Sequence, residues 1–327
     1  MSRIRLALFR ILLLLLTLST VMVGLWKVIP ILHAEETGED AYEDVEIPVS
    51  NGLLMQGRLY DPTMQDETLA DKDPLGEYPL VILLHSLNGS GADWHRFALG
   101  LAKKGYAVYA PDLRGHGQST KDDRGRRYYW RTFKDKDWQL MPRDVLSVIR
   151  YFSKGEDGDY PQVNGKKTAL MGAQLGANIA VLAAARDSEL SNSVKAVILL
   201  SPSLSSKGLE TQKAFIAYHG PVFLSASQRD INSLEATQMM YRWALGAKEI
   251  RLYKDIGDGI DMLRLEPSLP RFITAWTEKY FPGHTLAPEP KPDSKAELTH
   301  PAAETGKHAV IHTPAASQAS GGRAGGH

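Results

Sequence analysis

Lys167-Thr-Ala-Leu-Met-Gly-Ala-Gln-Leu-Gly-Ala-Asn-Ile-Ala-Val-Leu-Ala-Ala-Ala185 is the stretch whose reading decides the fold. Residues 168–171 form a short β-prone apolar run, and the Ala-rich run after Gly176 repeats its apolar residues at helical spacing. A strand that turns at once into a helix brings two backbones close together, and Gly172 and Gly176 remove the side chains that would collide. Gln174 is thereby carried to the tip of a strained turn. The spacing is that of the G-x-S-x-G nucleophile elbow, with an amide where that pattern has a hydroxyl. An amide has no proton that a base removes to make a nucleophile, so the geometry is present without its chemistry.

Outward from this turn, strands and helices alternate. Residues 43–60 read as a β-hairpin, with Val45, Ile47 and Val49 alternating and Asn51-Gly52 as the turn. Residues 79–84 form a continuous apolar strand of the kind buried on both faces of a parallel sheet, ending at His85-Ser86. A helix over 94–104 closes at Gly105, and a buried strand over 106–110 ends in Pro-Asp-Leu-Arg-Gly-His-Gly-Gln-Ser119. Residues 121–139 are dense in charges and aromatics, which reads either as a small lid over the sheet's carboxyl edge or as a surface excursion with its aromatics tucked beneath. Pro142 opens an amphipathic helix to residue 153. Strands follow at 194–200, ending in Ser201, at 222–226, ending in Gln228-Arg229-Asp230, and at 249–253, leading into Gly257-Asp258-Gly259. Helices are expected at 233–245 and 267–280, the latter with Phe272, Ile273 and Trp276 on its apolar side. The fold class is therefore α/β, a doubly wound, mostly parallel sheet with the hairpin as an antiparallel edge.

The chain has 327 residues, enough for one large α/β domain with extensions. Its formal net charge is zero and it contains no cysteine, which excludes disulfides and thiolate metal sites and leaves no signature of nucleic-acid binding. Arg3, Arg5 and Arg10 precede a Leu-rich uncharged run over 11–26, followed by Lys27 and Val-Ile-Pro-Ile-Leu-His-Ala34. Two readings fit residues 1–34. One is a secretory signal cut after Ala34; the other is an uncleaved anchor over 11–32, about 33 Å of helix and long enough to cross a bilayer. Both place the main domain, residues 35–282, outside the cytoplasm. Residues 283–327 hold Pro, Ala, Gly, Ser, Thr, Lys and His without any aromatic, a composition expected to be disordered. The histidines there lack ligand spacing and a scaffold, so no metal site or cofactor is expected.

The order of strand, His85-Ser86 loop, Asp112 to Ser119 loop, elbow, Ser-Gln-Arg-Asp230 loop and Gly-Asp258-Gly loop resembles the α/β-hydrolase superfamily over residues 43–281. Within it the chain is most similar to exported or lipid-associated members of the dienelactone-hydrolase and serine-aminopeptidase-like branch. The resemblance implies a Ser, Asp, His triad at strand carboxyl ends. The Ser position falls on Gln174, the acid on Asp230 and the His position on Asp258. Two of the three are replaced, including both that handle protons in the reaction. Asp258 beside Asp230 would be repelled unless a proton, cation or amide intervenes, and Gln174 is placed to be that amide. The resemblance puts the oxyanion donors at the loop after His85 and at the Leu175 amide.

Loss of the nucleophile or base costs a serine hydrolase on the order of 10⁶ in turnover, about 8 kcal/mol of barrier. The leading expectation is therefore an exported pseudo-hydrolase that binds a small acyl or ester-like ligand or an envelope partner, held to a membrane if the N-terminal segment stays. The alternative is an active carboxylic-ester hydrolase with a relocated nucleophile: Ser86, Ser119 and Ser201 follow strand ends, with His116 as the base. A third reading is a scaffold that reaches a partner through the tail. The Asp255, Asp258 and Asp261 group does not follow a calcium-loop order and reads as a solvated turn.

Overall fold

The computed structural model describes residues 41–66 and 77–284. The N-terminal targeting segment and the tail from residue 285 lie outside the described residues, so the expectations on 1–34 and on most of 283–327 have no structural counterpart here. Among the described residues no helix is long and apolar enough to cross a membrane. Gly283 and His284 pack on the domain, with His284 N–H donating to the Gly105 carbonyl and its ring edge-on to Tyr78.

Eight strands form one sheet: β1 Glu43–Pro48, β2 Leu54–Tyr60, β3 Tyr78–Leu84, β4 Ala107–Pro111, β5 Val163–Ala173, β6 Val194–Leu200, β7 Val222–Ser227 and β8 Lys248–Tyr253. Their spatial order is β1-β2-β4-β3-β5-β6-β7-β8. β1 pairs with β2 and β2 with β4 antiparallel; every other pairing is parallel. The hairpin turn forms because Asn51 and Gly52 accept positive φ values of 59° and 73°, a conformation Asn and Gly tolerate best.

β3 shows why its sequence carries no alternation. Tyr78, Leu80, Ile82 and Leu84 enter one hydrophobic layer while Val81 and Leu83 enter the other, and all are buried. On the first side lie α2 Met141–Phe152, α3 Leu175–Leu190 and α4 Ile231–Trp243; on the second lie α1 His95–Ala102 and α5 Ser268–Tyr280. β5 runs longer than its apolar core because Val163 and Asn164 also pair with β3, ahead of a register shift at Pro79/Leu80. One side-chain expectation is corrected. Leu269, Ile273 and Trp276 make the buried seam of α5, whereas Phe272 is 41% exposed with the Arg251 guanidinium 4.3 Å from its ring.

The 121–139 excursion holds two short helical turns, Trp130–Thr132 and Asp135–Trp138. Trp138 is buried beneath it, while Tyr128, Trp130 and Phe133 are half-buried against the core. Trp130 stacks on His116, with ring planes 3° apart. Two elements between β6 and α4 had no sequence signal strong enough to place them. They are the small hairpin of Ser205–Ser206 with Leu209–Glu210 and the helix Gln212–Ala217.

Candidate functional site

The strand-to-helix turn is as tight as its glycines require. A Cβ on Gly172 would sit 2.2 Å from the Gly176 carbonyl oxygen, and one on Gly176 would sit 2.2 Å from that of Leu84. Between them Gln174 adopts φ 50°, ψ −110°, a strained conformation for a residue with a side chain. Its own N–H is held by the Leu200 carbonyl at 2.9 Å, tying the tip of the turn to the end of β6.

The Gln174 amide reaches across to the loop after β8. Its Nε2 donates to Asp258 Oδ2 at 2.7 Å, the amide-to-carboxylate contact expected of these two positions. The Asp258 loop is locked from beneath by a residue whose role had no signal in the sequence. Ser201, buried at the end of β6 with φ 50°, accepts the Gly259 N–H on its Oγ at 2.9 Å and donates toward Met262 Sδ at 3.3 Å. Gly259 has φ 55°, and a Cβ there would lie 2.8 Å from Ser86 Oγ and 3.1 Å from Gln174 Cγ. Ser86, Gln174 and the Asp258 loop therefore converge on one spot, above the first turn of α3 that begins at Leu175.

Asp230 does not join them. It caps α4, its carboxylate accepting the Ser233 N–H at 3.1 Å and the Ser233 hydroxyl at 2.5 Å. The expected repulsion between Asp230 and Asp258 is thus relieved twice over, because each carboxylate has its own donor.

The loops around the site are held by buried polar groups. His85 donates from Nδ1 to the Ser86 carbonyl at 2.7 Å and accepts the Leu113 N–H on Nε2 at 2.9 Å, which sets its neutral tautomer. Burial, opposed by the Ser86 carbonyl, lowers its pKa to about 4. Asp112, through one oxygen each, accepts the Gly91 N–H at 2.8 Å and the Gln118 N–H at 2.7 Å. His116 has Nδ1 2.9 Å from the Arg114 carbonyl and Nε2 2.7 Å from that of Leu87; burial lowers its pKa, against the pull of those carbonyls. Ser119 Oγ accepts the Gln56 N–H at 2.9 Å. Beneath them Arg114 and Asp144 form a fully buried two-pronged ion pair, both contacts 2.7 Å.

This placement bears on the residues considered for relocated chemistry. Both His116 ring nitrogens face carbonyls and Ser119 is bonded to β2, so neither presents a reactive atom to a crevice. Ser201 is engaged by Gly259 and Met262. Ser86 Oγ and the Gln174 side chain both lie against Gly259, and of the three serines Ser86 is the one that faces this spot with a hydroxyl not engaged in a hydrogen bond among the described residues. In the aspartate group, Asp255 pairs with Arg229 and Asp261 with Arg264, each at 3.2 Å. Among the described residues no group of three or more acidic or histidine side chains is set to hold a metal ion.

The serine aminopeptidase S33 family model matches residues 78–244, just over half of the chain. No curated protein matches it in sequence. The fold is similar to an esterase of Pyrococcus furiosus, with 18% identity, a TM-score of 0.55, and coverage of 74% of this chain and 91% of that one. It is also similar to a dienelactone hydrolase of Anabaena variabilis, with 17% identity, a TM-score of 0.55 and coverage of 74% and 99%. A carboxylesterase from a metagenomic library gives 14% identity, a TM-score of 0.54 and coverage of 76% and 90%. At such identities the likeness speaks for the fold alone, and it agrees with the strand order, the elbow at Gln174 and the matched family model: the chain belongs to the serine aminopeptidase S33 family of the α/β-hydrolase superfamily.

Proposed function

We propose that this protein is an exported, non-hydrolytic member of its family, which uses the site around Gln174 and Asp258 to bind a small acyl or ester-like ligand rather than to cleave it. The observation that carries this reading is the Gln174 Nε2 bond to Asp258 Oδ2. At the position of a nucleophile stands an amide, and at the position of the base stands a carboxylate that holds that amide in place. The third triad position is spent on capping α4. What remains to a triad enzyme without its nucleophile is about 10³ to 10⁴ over water, from oxyanion donors and binding. Binding energy is then available for affinity, because no transition state draws on it. Export is the part of the proposal that rests on residues 1–34, read from sequence.

The test is labelling with a fluorophosphonate probe read by intact mass, on the natural chain and on the Gln174→Ser, Asp258→His double variant. The natural chain is expected to stay unmodified. An adduct on it, mapped to Ser86, Ser119 or Ser201, would sink the proposal and identify a working nucleophile.

A further inference from the structure

The segment 121–137 carries seven Lys and Arg side chains against four Asp, in a chain whose net charge is zero. Of the four acids, Asp122 is buried, Asp137 is half-buried, and Asp123 and Asp135 are exposed among the more numerous cations. Asp122 is spent locally. It accepts the Arg124 N–H, the Arg126 N–H, Arg126 Nε and the Tyr128 hydroxyl, and so folds the turn that presents the cations. Asp137 accepts the Lys134 N–H, and the Asp123 carboxylate abuts Gly52. Among the described residues Arg126 is the one cation of the segment in an ion pair. Lys121, Arg124, Arg127, Arg131, Lys134 and Lys136 are exposed and form no ion pair with a carboxylate among the described residues.

Aromatic rings are interleaved with these charges. Tyr129 is 48% exposed, the most exposed aromatic ring among the described residues, and Arg127 Nη1 donates to its hydroxyl at 3.2 Å. Arg131 lies 4.5 Å from the Trp130 ring. Trp130 in turn stacks on His116, so the rim is fixed to the domain rather than trailing from it. Beside it a cleft of about 660 Å³ opens between the hairpin turn at Asn51-Gly52 and the excursion, with Arg124, Arg126 and Lys136 in its wall against Asp123 and Asp137.

We propose that this rim docks the domain on an anionic lipid surface, with Arg124, Arg127 and Arg131 at the phosphates and Tyr129 at the headgroup level. Guanidinium forks suit phosphate oxygens, and a tyrosine with an apolar ring and a polar tip suits the interface between water and acyl chains. Basic side chains near such a surface contribute through its negative potential, and the attraction fades within a Debye length. The length of chain before β1 is compatible with this placement. Ten residues, 33–42, separate the apolar run ending at Leu32 from Glu43, a tether of at most about 35 Å when extended. If the N-terminal run remains in a bilayer, the domain cannot leave the neighbourhood of the headgroups, and the rim gives it an orientation.

The test uses the full chain mixed with vesicles of zwitterionic lipid alone or with about one third anionic lipid. Amide hydrogen exchange is read over residues 121–137. Slower exchange of this segment, by several-fold, is expected with the anionic vesicles only. It should disappear in 0.5 M salt and in the Arg124→Gln, Arg127→Gln, Arg131→Gln variant, whose melting temperature must match that of the natural chain. Should that triple variant melt early, Tyr129→Asp and 0.5 M salt on the natural chain supply the same comparison. Equal exchange with both vesicle types would overturn the proposal whether or not the N-terminal run inserts. So would equal protection by inorganic polyphosphate at matched charge, which would make the rim a general anion site.

Discussion

His85 is buried with one ring nitrogen donating and the other accepting, and that arrangement has a measurable cost in acid. Burial lowers its pKa from 6.5 to about 4, so the unfolded chain takes up a proton between those values that the folded chain refuses. The contribution of this group to stability is therefore complete above pH 6.5 and is lost as the pH falls toward 4. The interval from 6.5 to about 4, at about 1.4 kcal/mol per pH unit, gives about 3.5 kcal/mol, a large share of the stability of an ordinary domain. The perturbation is His85→Gln, whose side-chain oxygen can accept the Leu113 N–H but does not titrate. Urea unfolding of both proteins at pH 7, 6, 5 and 4.5, followed by tryptophan fluorescence, gives the difference between two curves. His116, whose ring lies 5.0 Å from that of His85, is coupled to it, so the same pair of curves is also recorded in a His116→Gln background, where the difference belongs to His85. The variant starts less stable at pH 7, and the gap should close by about 2 to 3 kcal/mol on the way to pH 4.5. A gap that stays constant across the range would show that His85 titrates as in the unfolded chain and would refute the burial argument.

The elbow glycines admit no side chain: Gly172→Ala or Gly176→Ala should cost about 3 kcal/mol or more, or prevent folding, as read by thermal melting. Asp144→Ala leaves the Arg114 guanidinium buried without its partner and should cost about 3 to 5 kcal/mol, whereas an Arg114→Met, Asp144→Leu pair should lose less than the single change in the same urea assay. Because Asp230 is held by Ser233, the Gln174→Ser, Asp258→His variant should react only slowly with the fluorophosphonate; adding Ser233→Ala should raise the labelling rate at least several-fold, and an unchanged rate would show that Asp230 cannot turn toward the new histidine. Asp230→Ala in the natural chain should lower stability by about 1 kcal/mol through the lost helix cap, with ligand binding unchanged.

Much of the molecule follows from local pattern. Glycines two residues to either side of Gln174 state that a helix must pack against its own strand, whatever the central residue is. The unbroken apolar run of β3 states that both its faces are buried, and Asn51-Gly52 fixes the hairpin. These are short-range facts about sterics and burial, so they are visible in the chain itself. The meeting of Gln174 and Asp258 was also legible, because topology puts the ends of β5 and β8 on the same edge of a parallel sheet and charge demands a donor there.

What only the tertiary structure decided is how the remaining polar groups are spent. Asp230 lies where an acid is expected, and its place just before α4 also suits a helix cap; only the fold decided that its carboxylate is held by Ser233. Ser201 looks like any serine after a strand, yet its positive φ and its bond to Gly259 come from a loop almost sixty residues later. His116 and Ser119 sit at a strand end, where reactive groups gather, but carbonyls and amides brought from elsewhere occupy them. Hydrogen-bond partners distant in the chain are chosen by the packing of the whole sheet and its helices, and a side chain has too few donors and acceptors to serve both a scaffold and a reaction. The sequence therefore determined the frame and the position of the site, while the fold decided which of its polar residues were left free to act there.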